Sequence, residues 1–266
     1  MRVHGEDLGT VANTVASNYR SHVCSPCVVG HVCWRTSPRE LHAYCVRDLA
    51  SCEQVELRFA DVVCKLGNRI CHVYFPTESV ISLVTVLDGN ARLELGMVGD
   101  EGMLGTSLTL GVSHSPQHAV VQGAGAALRM SAATFGRHYR EDAELRRLLS
   151  RYVNVLMSQL AQTAACACYH LVEARLARWL LMNRDRAHRS EFHLTHACLA
   201  YMLGVRRAGV THAASSLQAR ALIRYGRGAL TILDNAGLEQ ASCACYREGN
   251  AMYAQTLGLP QAASRR

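Results

Sequence analysis

The sequence predicts an α+β chain in three successive parts: a strand-rich region, one long amphipathic helix, and a C-terminal helical module ending in a β-hairpin. Three observations carry this. Between Val55 and Met130 short alternating apolar segments are separated by turn residues. From Glu141 to about Cys168 apolar residues recur at spacings of three and four. From Thr195 onward, two short helical patterns meet at Gly204 and are followed by a Gly-rich hairpin pattern. With 266 residues and 49% hydrophobic content, the chain can bury two modest cores.

Residues 1–50 are rich in Cys and His and show no sustained period. Strands are then expected at Val55–Phe59, Val73–Phe75, Ser79–Leu87, Arg92–Val98, His118–Gln122 and Ala126–Met130. The turns between them include Leu66-Gly67-Asn68, Asp88-Gly89-Asn90 and Gly99-Asp100-Glu101-Gly102. Short strands at such spacing favour a small antiparallel sandwich, roll or barrel. In the long helix the apolar stripe is Leu145, Leu149, Tyr152, Leu156, Leu160 and Thr163. One small domain would struggle to cover it, so a homodimer is expected, with packing on the chain's own β-domain as the alternative. A second helix fits Leu171–Asn183, and Arg184–Arg189 reads as a polar connection.

Thr195 is placed to cap a helix beginning at His196. A helix-turn-helix needs apolar residues where its helices face each other, met by Leu199, Leu203, Val205, Val210 and Ala213. It also needs a small residue at the helix approach and a residue tolerating positive φ in the turn, met by Ala200 and Gly204. The second helix then runs from near Arg206 to about Arg220, and its first turns reach base edges in the major groove. Arg207 and His212 are candidate base readers, with Arg206 and Thr211 on bases or phosphates. Leu222–Leu233 forms a wing hairpin whose Arg224 and Arg227 lie beside the backbone.

Charge supports a polyanionic partner. Tyr169–Leu230 holds ten Arg against Glu173, Asp185 and Glu191, which equals the net +7 of the whole chain. Lys65 is the single lysine, so the positive charge is almost all guanidinium, suited to bidentate contacts. No apolar window reaches the roughly 18 residues of a membrane span, and Glu6 and Asp7 interrupt any N-terminal signal core. A cytoplasmic protein without membrane partners is expected. No nucleophile elbow, P-loop, dinucleotide fingerprint or zinc-protease motif is present, so no enzymatic activity is expected. His170 and Glu173 read only as a pair on one helical face.

Over roughly residues 52–246 the sequence resembles the Crp/Fnr superfamily of transcription regulators. The resemblance rests on the order of parts and on His72–Thr77, Val98–Gly105, Leu176–Leu181 and Met202–Arg207. It implies a cyclic-nucleotide-binding-like antiparallel β-roll, a dimerisation helix and a winged helix-turn-helix acting as a homodimer on double-stranded promoter DNA, with RNA polymerase as a further partner. The corresponding division is a Cys/His-rich segment at 1–50, a β-roll sensor at 51–140, the dimerisation helix at 141–168, the DNA-binding domain at 169–246 and a tail at 247–266. Relatives that bind cyclic nucleotide place an Arg on its phosphate. Here that region reads Gln117-His118-Ala119, so cyclic AMP is not expected. Many relatives also carry a Glu in the recognition helix where Ala208 stands, so no operator is carried over.

Cys24, Cys27 and Cys33 form a C-x2-C-x5-C pattern that resembles the ligand spacing of the oxygen-sensing Fnr branch, where a fourth thiolate from the β-roll completes an iron-sulfur cluster. No cysteine lies between Cys71 and Cys166, so Cys45, Cys52, Cys64 or Cys71 would have to serve. Zinc with His31 or His22, a redox thiol pair, and no defined site are the alternatives. Cys166, Cys168, Cys198, Cys243 and Cys245 fit best as small buried hydrophobes.

Overall fold

Alternating apolar segments become two antiparallel sheets. The computed structural model describes residues 51–87 and 91–257. One sheet has three strands in the order β1 (Glu53–Leu57), β7 (Gly125–Ser131), β3 (His72–Pro76). The other has four in the order β2 (Val62–Cys64), β6 (His118–Gly123), β4 (Val80–Val86), β5 (Arg92–Val98). The five expected strands from Val73 to Met130 appear close to their expected bounds. The first, expected at Val55–Phe59, starts two residues earlier, and β2 went unanticipated because three half-buried residues carry too little pattern. Together the sheets form the antiparallel roll at the N-terminal side of the described chain.

Two helices leave the roll. Ser131 caps α1 (Ala132–Glu141) by accepting from the Thr134 N–H at 3.1 Å. Asp142 caps α2 (Ala143–Tyr169), its Oδ1 accepting from the N–H groups of Glu144 and Leu145 at 2.7 and 3.0 Å. The stripe expected to await a partner is largely covered within the chain. Leu145, Leu149 and Tyr152 pack with Val73, Phe75, Leu128 and Met130 of the roll, and Leu156 packs with Ile81, Leu83 and Val98. The approach is close: a Cβ on Gly102 would stand 2.6 Å from Tyr152 Cε2. The sheet thus supplies the apolar cover that the helix period alone could not reveal.

A C-terminal helix completes this core. α7 (Cys245–Leu257) runs through the segment expected to be a tail, and the expected boundary at 246/247 falls inside it. It forms because Tyr246, Tyr253 and Leu257 share a buried face, and the Tyr253 hydroxyl accepts from Gln159 Nε2 at 3.1 Å.

α3 (Val172–Ala187) follows α2 after an extended break at His170 and Leu171. It is longer than its apolar pattern suggested and absorbs most of the expected polar connection 184–189. The reason is Arg186. Its guanidinium is buried, its Nε donates to Glu101 Oε1 at 2.7 Å, and it lies 5.5 Å from the Tyr253 ring centre. His188 then ends the helix in the left-handed region at φ 51°. Beyond it lie β8 (Glu191–His193), α4 (His196–Leu203), α5 (Arg207–Ala219), β9 (Ile223–Gly226), β10 (Ala229–Ile232) and α6 (Asn235–Ala241).

The roll and this module share one core. Val80 and Met97 of the roll pack in the same cluster as Leu176, Leu180, Leu203 and Leu217. Buried Glu94 on β5 accepts from Trp179 Nε1 at 2.9 Å and also bonds Ser82, and the Arg92 guanidinium lies 5.2 Å from the Tyr201 ring centre. Among the described residues no helix is long and apolar enough to cross a membrane.

Candidate nucleic-acid interface

The helix-turn-helix is built by local chemistry. Thr195 accepts from the Cys198 N–H at 3.1 Å, which caps α4. Gly204 ends α4 at φ 62°, and its N–H bonds back to the Ala200 and Tyr201 carbonyls. Leu199, Ala200, Leu203, Val210 and Ala213 are buried and Val205 packs against them. All seven positions demanded by the sequence pattern therefore do the work assigned to them. Gly204 also abuts the roll: a Cβ there would meet Leu93 Cδ1 at 3.0 Å.

α5 buries Val210, Ala213, Ala214 and Leu217 against α3 and α4 and leaves its other face in solvent. Arg207, Ala208, Thr211, His212, Ser215 and Ser216 border a shallow open groove on that face. Arg206 occupies the N-cap and is exposed. Thr211 departs from its expected role in one respect. Its hydroxyl lies 3.1 Å from the Arg207 carbonyl, to which it donates, and 3.0 Å from His196 Nδ1, so it is engaged inside the protein.

The wing is a three-stranded sheet in the order β8-β10-β9. β8 was not anticipated, since three residues with polar Glu191 and His193 give no strand signal. Arg227 and Gly228 turn the hairpin with φ of 52° and 80°, both positive as a two-residue type I′ turn requires. Arg224 and Arg227 are exposed. Tyr225 fixes the wing to the helices: its N–H donates to Gln218 Oε1 at 2.8 Å and its hydroxyl donates to the Leu194 carbonyl at 2.8 Å. The Tyr225 ring also sits 4.7 Å from that of His196, whose imidazole is held below its usual range by burial and then by Arg207. His196, Gln218 and Tyr225 were missed by the sequence reading; an aromatic in a wing strand beside a polar cap was the only signal available.

All six expected DNA-contacting residues, Arg206, Arg207, Thr211, His212, Arg224 and Arg227, are thus exposed on one helix-turn-helix and wing module. Apart from the Thr211 hydroxyl on the Arg207 carbonyl, their anchoring comes from the module beneath them. This arrangement presents guanidinium and imidazole donors on a rigid helix with a basic hairpin beside it.

The other candidate sites fare differently. Cys24, Cys27 and Cys33, with His22, His31 and Cys45, lie outside the described residues. In the roll, a partly open cavity of about 210 Å³ is lined by Asn68, Arg69, Cys71, Tyr74, Ser115 and Gln117 among others. The later cysteines divide. Cys168 is exposed, against expectation, because it lies on the outer face of α2. Cys166, Cys243 and Cys245 are buried, but they gather with His170 instead of dispersing in apolar surroundings.

Comparison with known proteins agrees with this architecture. Residues 174–241 match the Crp-like helix-turn-helix domain. FixK2 of Bradyrhizobium japonicum superposes with a TM-score of 0.61 at 14% identity, covering 73% of this chain and 98% of its own. The CRP-family regulator TTHB099 of Thermus thermophilus gives 0.60 at 18% identity, covering 71% and 96%. TTHA1359, a CRP/FNR-family regulator from the same organism, gives 0.59 at 21%, covering 71% and 98%. No curated protein matches this chain in sequence. The chain therefore has the fold of the Crp/Fnr regulators, and its residues 174–241 match the Crp-like helix-turn-helix domain.

Proposed function

We propose that this protein is a sequence-specific transcription regulator of the Crp/Fnr type that binds double-stranded promoter DNA through α5 and the wing. The observation that carries this is the outer face of α5, where exposed Arg207 and His212 stand on a helix whose inner face is locked into the module's core. Arg207 and His212 read base edges, Arg206 holds a phosphate or base, and Arg224 and Arg227 track the backbone. Thr211, its hydroxyl engaged with Arg207 and His196, orients the first turn of the helix and offers its methyl for apolar contact.

The protein acts as a homodimer. The inner stripe of α2 is covered, but Ser150, Asn154, Met157, Ala161, Ala164 and Cys168 are exposed at alternating spacings of four and three, a seam suited to a second copy of the helix. RNA polymerase is the expected further partner at the promoter. The effector enters the cavity of the roll. Gln117 on its wall offers no charge to a cyclic phosphate where cyclic-nucleotide-binding relatives place an Arg, and Arg69 is the guanidinium that lines the same cavity. Selection of bound sequences from a random duplex pool tests the assignment: enrichment of a two-fold symmetric site supports it, and recovery of unenriched sequence overturns it.

A further inference from the structure

We propose that Cys166, His170, Cys243 and Cys245 form a tetrahedral zinc site that staples the C-terminal helix to the end of the long helix. The donors come from two places far apart in sequence. Cys166 and His170 stand one turn apart at the C-terminal end of α2, where the His170 N–H caps the helix on the Cys166 carbonyl. Cys243 lies in the bend between α6 and α7, and Cys245 is the first residue of α7. Cys166 Sγ lies 3.5 Å from Cys243 Sγ, and Cys245 Sγ lies 3.6 Å from His170 Nδ1. All four donor atoms fall within 4.8 Å of one another.

Zinc fits these distances. Bonds of about 2.3 Å to sulfur and 2.0–2.1 Å to nitrogen in a tetrahedron space two sulfurs about 3.8 Å apart, and a sulfur and nitrogen about 3.6 Å apart. The donor set is the Cys3His set of structural zinc, and its soft thiolates disfavour magnesium and calcium. A disulfide between Cys166 and Cys243 would need their sulfurs to close to about 2.05 Å.

Charge gives a second, independent reason. Arg178 is buried, its Nε has no hydrogen-bond partner among the described residues, and its positive field acts on Cys166 and Cys245. Half-buried Arg175 acts on Cys166 and Cys243 in the same way. No carboxylate among the described residues stands at ion-pair distance from either guanidinium. Beyond the longer-range field of Glu94 on Arg178, three neutral thiols supply these guanidiniums with no counter-charge, whereas zinc with three thiolates and a neutral imidazole carries one net negative charge. His170 is exposed, which leaves one side of the site open to an incoming ion.

The position gives the site a consequence. His170 and Leu171 are the extended break between α2 and α3, so an ion on His170 fixes the direction in which the C-terminal module leaves the long helix. It also ties down α7, whose Tyr253 meets both Gln159 and Arg186. The inference rests on the donors and the charges around them and stands whether or not the chain binds DNA.

Metal analysis of the full chain, purified under reducing conditions and incubated with Zn²⁺, tests it. One zinc per chain is expected when Cys24, Cys27 and Cys33 are replaced together by Ser, and none when Cys243→Ser and Cys245→Ser are added to that background. His170→Ala, at an exposed position that leaves the core intact, should surrender zinc to a chelator at lower concentration than the parent. Co²⁺ in place of zinc should give the visible ligand-field bands of a tetrahedral thiolate-rich site, and chelation should lower the Tm of the parent chain but not of the double Ser variant. A chain lacking Cys24, Cys27 and Cys33 that takes up no zinc, zinc that persists there after Cys243→Ser and Cys245→Ser, or octahedral Co²⁺ would overturn the proposal.

Discussion

Glu94 lies where the roll meets the DNA-binding module, and replacing it with Gln should remove a pH dependence from the stability of the chain. Burial pushes this carboxyl up from the usual 4.5 to about 7. Hydrogen bonds from Ser82 and Trp179 and the positive charges of Arg186 and Arg178 act in the opposite direction without overcoming desolvation. The folded chain therefore holds a proton that the unfolded chain has released between pH 4.5 and about 7. The contribution to stability is fully present below the ordinary carboxyl range and is lost as the pH rises through the folded value. At about 1.4 kcal/mol per unit, the whole shift corresponds to roughly 3 kcal/mol. Gln keeps both hydrogen bonds, its Oε1 accepting from Trp179 and its amide donating to Ser82, and carries no charge to desolvate. Urea unfolding of both proteins from pH 5 to 8, compared as a difference so that other groups cancel, should find them within about 1 kcal/mol at pH 5. At pH 8 the variant should be the more stable by roughly 2–3 kcal/mol. A difference that does not change with pH, or a variant less stable at pH 8, would refute the reasoning.

Other perturbations test other parts of the architecture. Gly102→Ala should cost roughly 1–3 kcal/mol in chemical unfolding, because its Cβ would collide with the Tyr152 ring packed beneath the roll. Glu101→Gln should cost about 3–5 kcal/mol by the same measurement, since it leaves the buried Arg186 guanidinium without its counter-charge. Met157→Glu places charge in the exposed seam of α2 and should convert dimer to monomer in light scattering while leaving the circular dichroism unchanged. Arg227→Ala at the wing tip should weaken specific and random DNA alike and reduce the salt slope by about one.

The parts of this fold that could be read in advance are those whose physical demands are local. Thr195 must cap, Gly204 must take positive φ, and Leu199, Leu203, Val210 and Ala213 must face inward; each demand is met within a few residues of chain. What stayed hidden depends on contacts distant in sequence. Arg186 looked solvated because its partner Glu101 lies in the roll. The stripe of α2 looked uncovered because Val73, Phe75 and Leu128 reach it only after the sheets form. α7 carries a mixed pattern whose buried face is defined by Gln159 and Arg186 from two other helices. The cysteines show the same limit: Cys166 and Cys243 meet across 77 residues, so their spacing gave no motif to find.

The direct test of the central claim is a comparison of DNA affinities at physiological salt, using the selected site and a random duplex of equal length, for the parent chain and Arg207→Ala. The account predicts that the parent prefers its site by about 10³-fold or more. It predicts that Arg207→Ala loses roughly 1–3 kcal/mol of that preference while its binding to random duplex changes far less. Equal affinity of the parent for both duplexes, or an Arg207→Ala variant with undiminished preference, would contradict it.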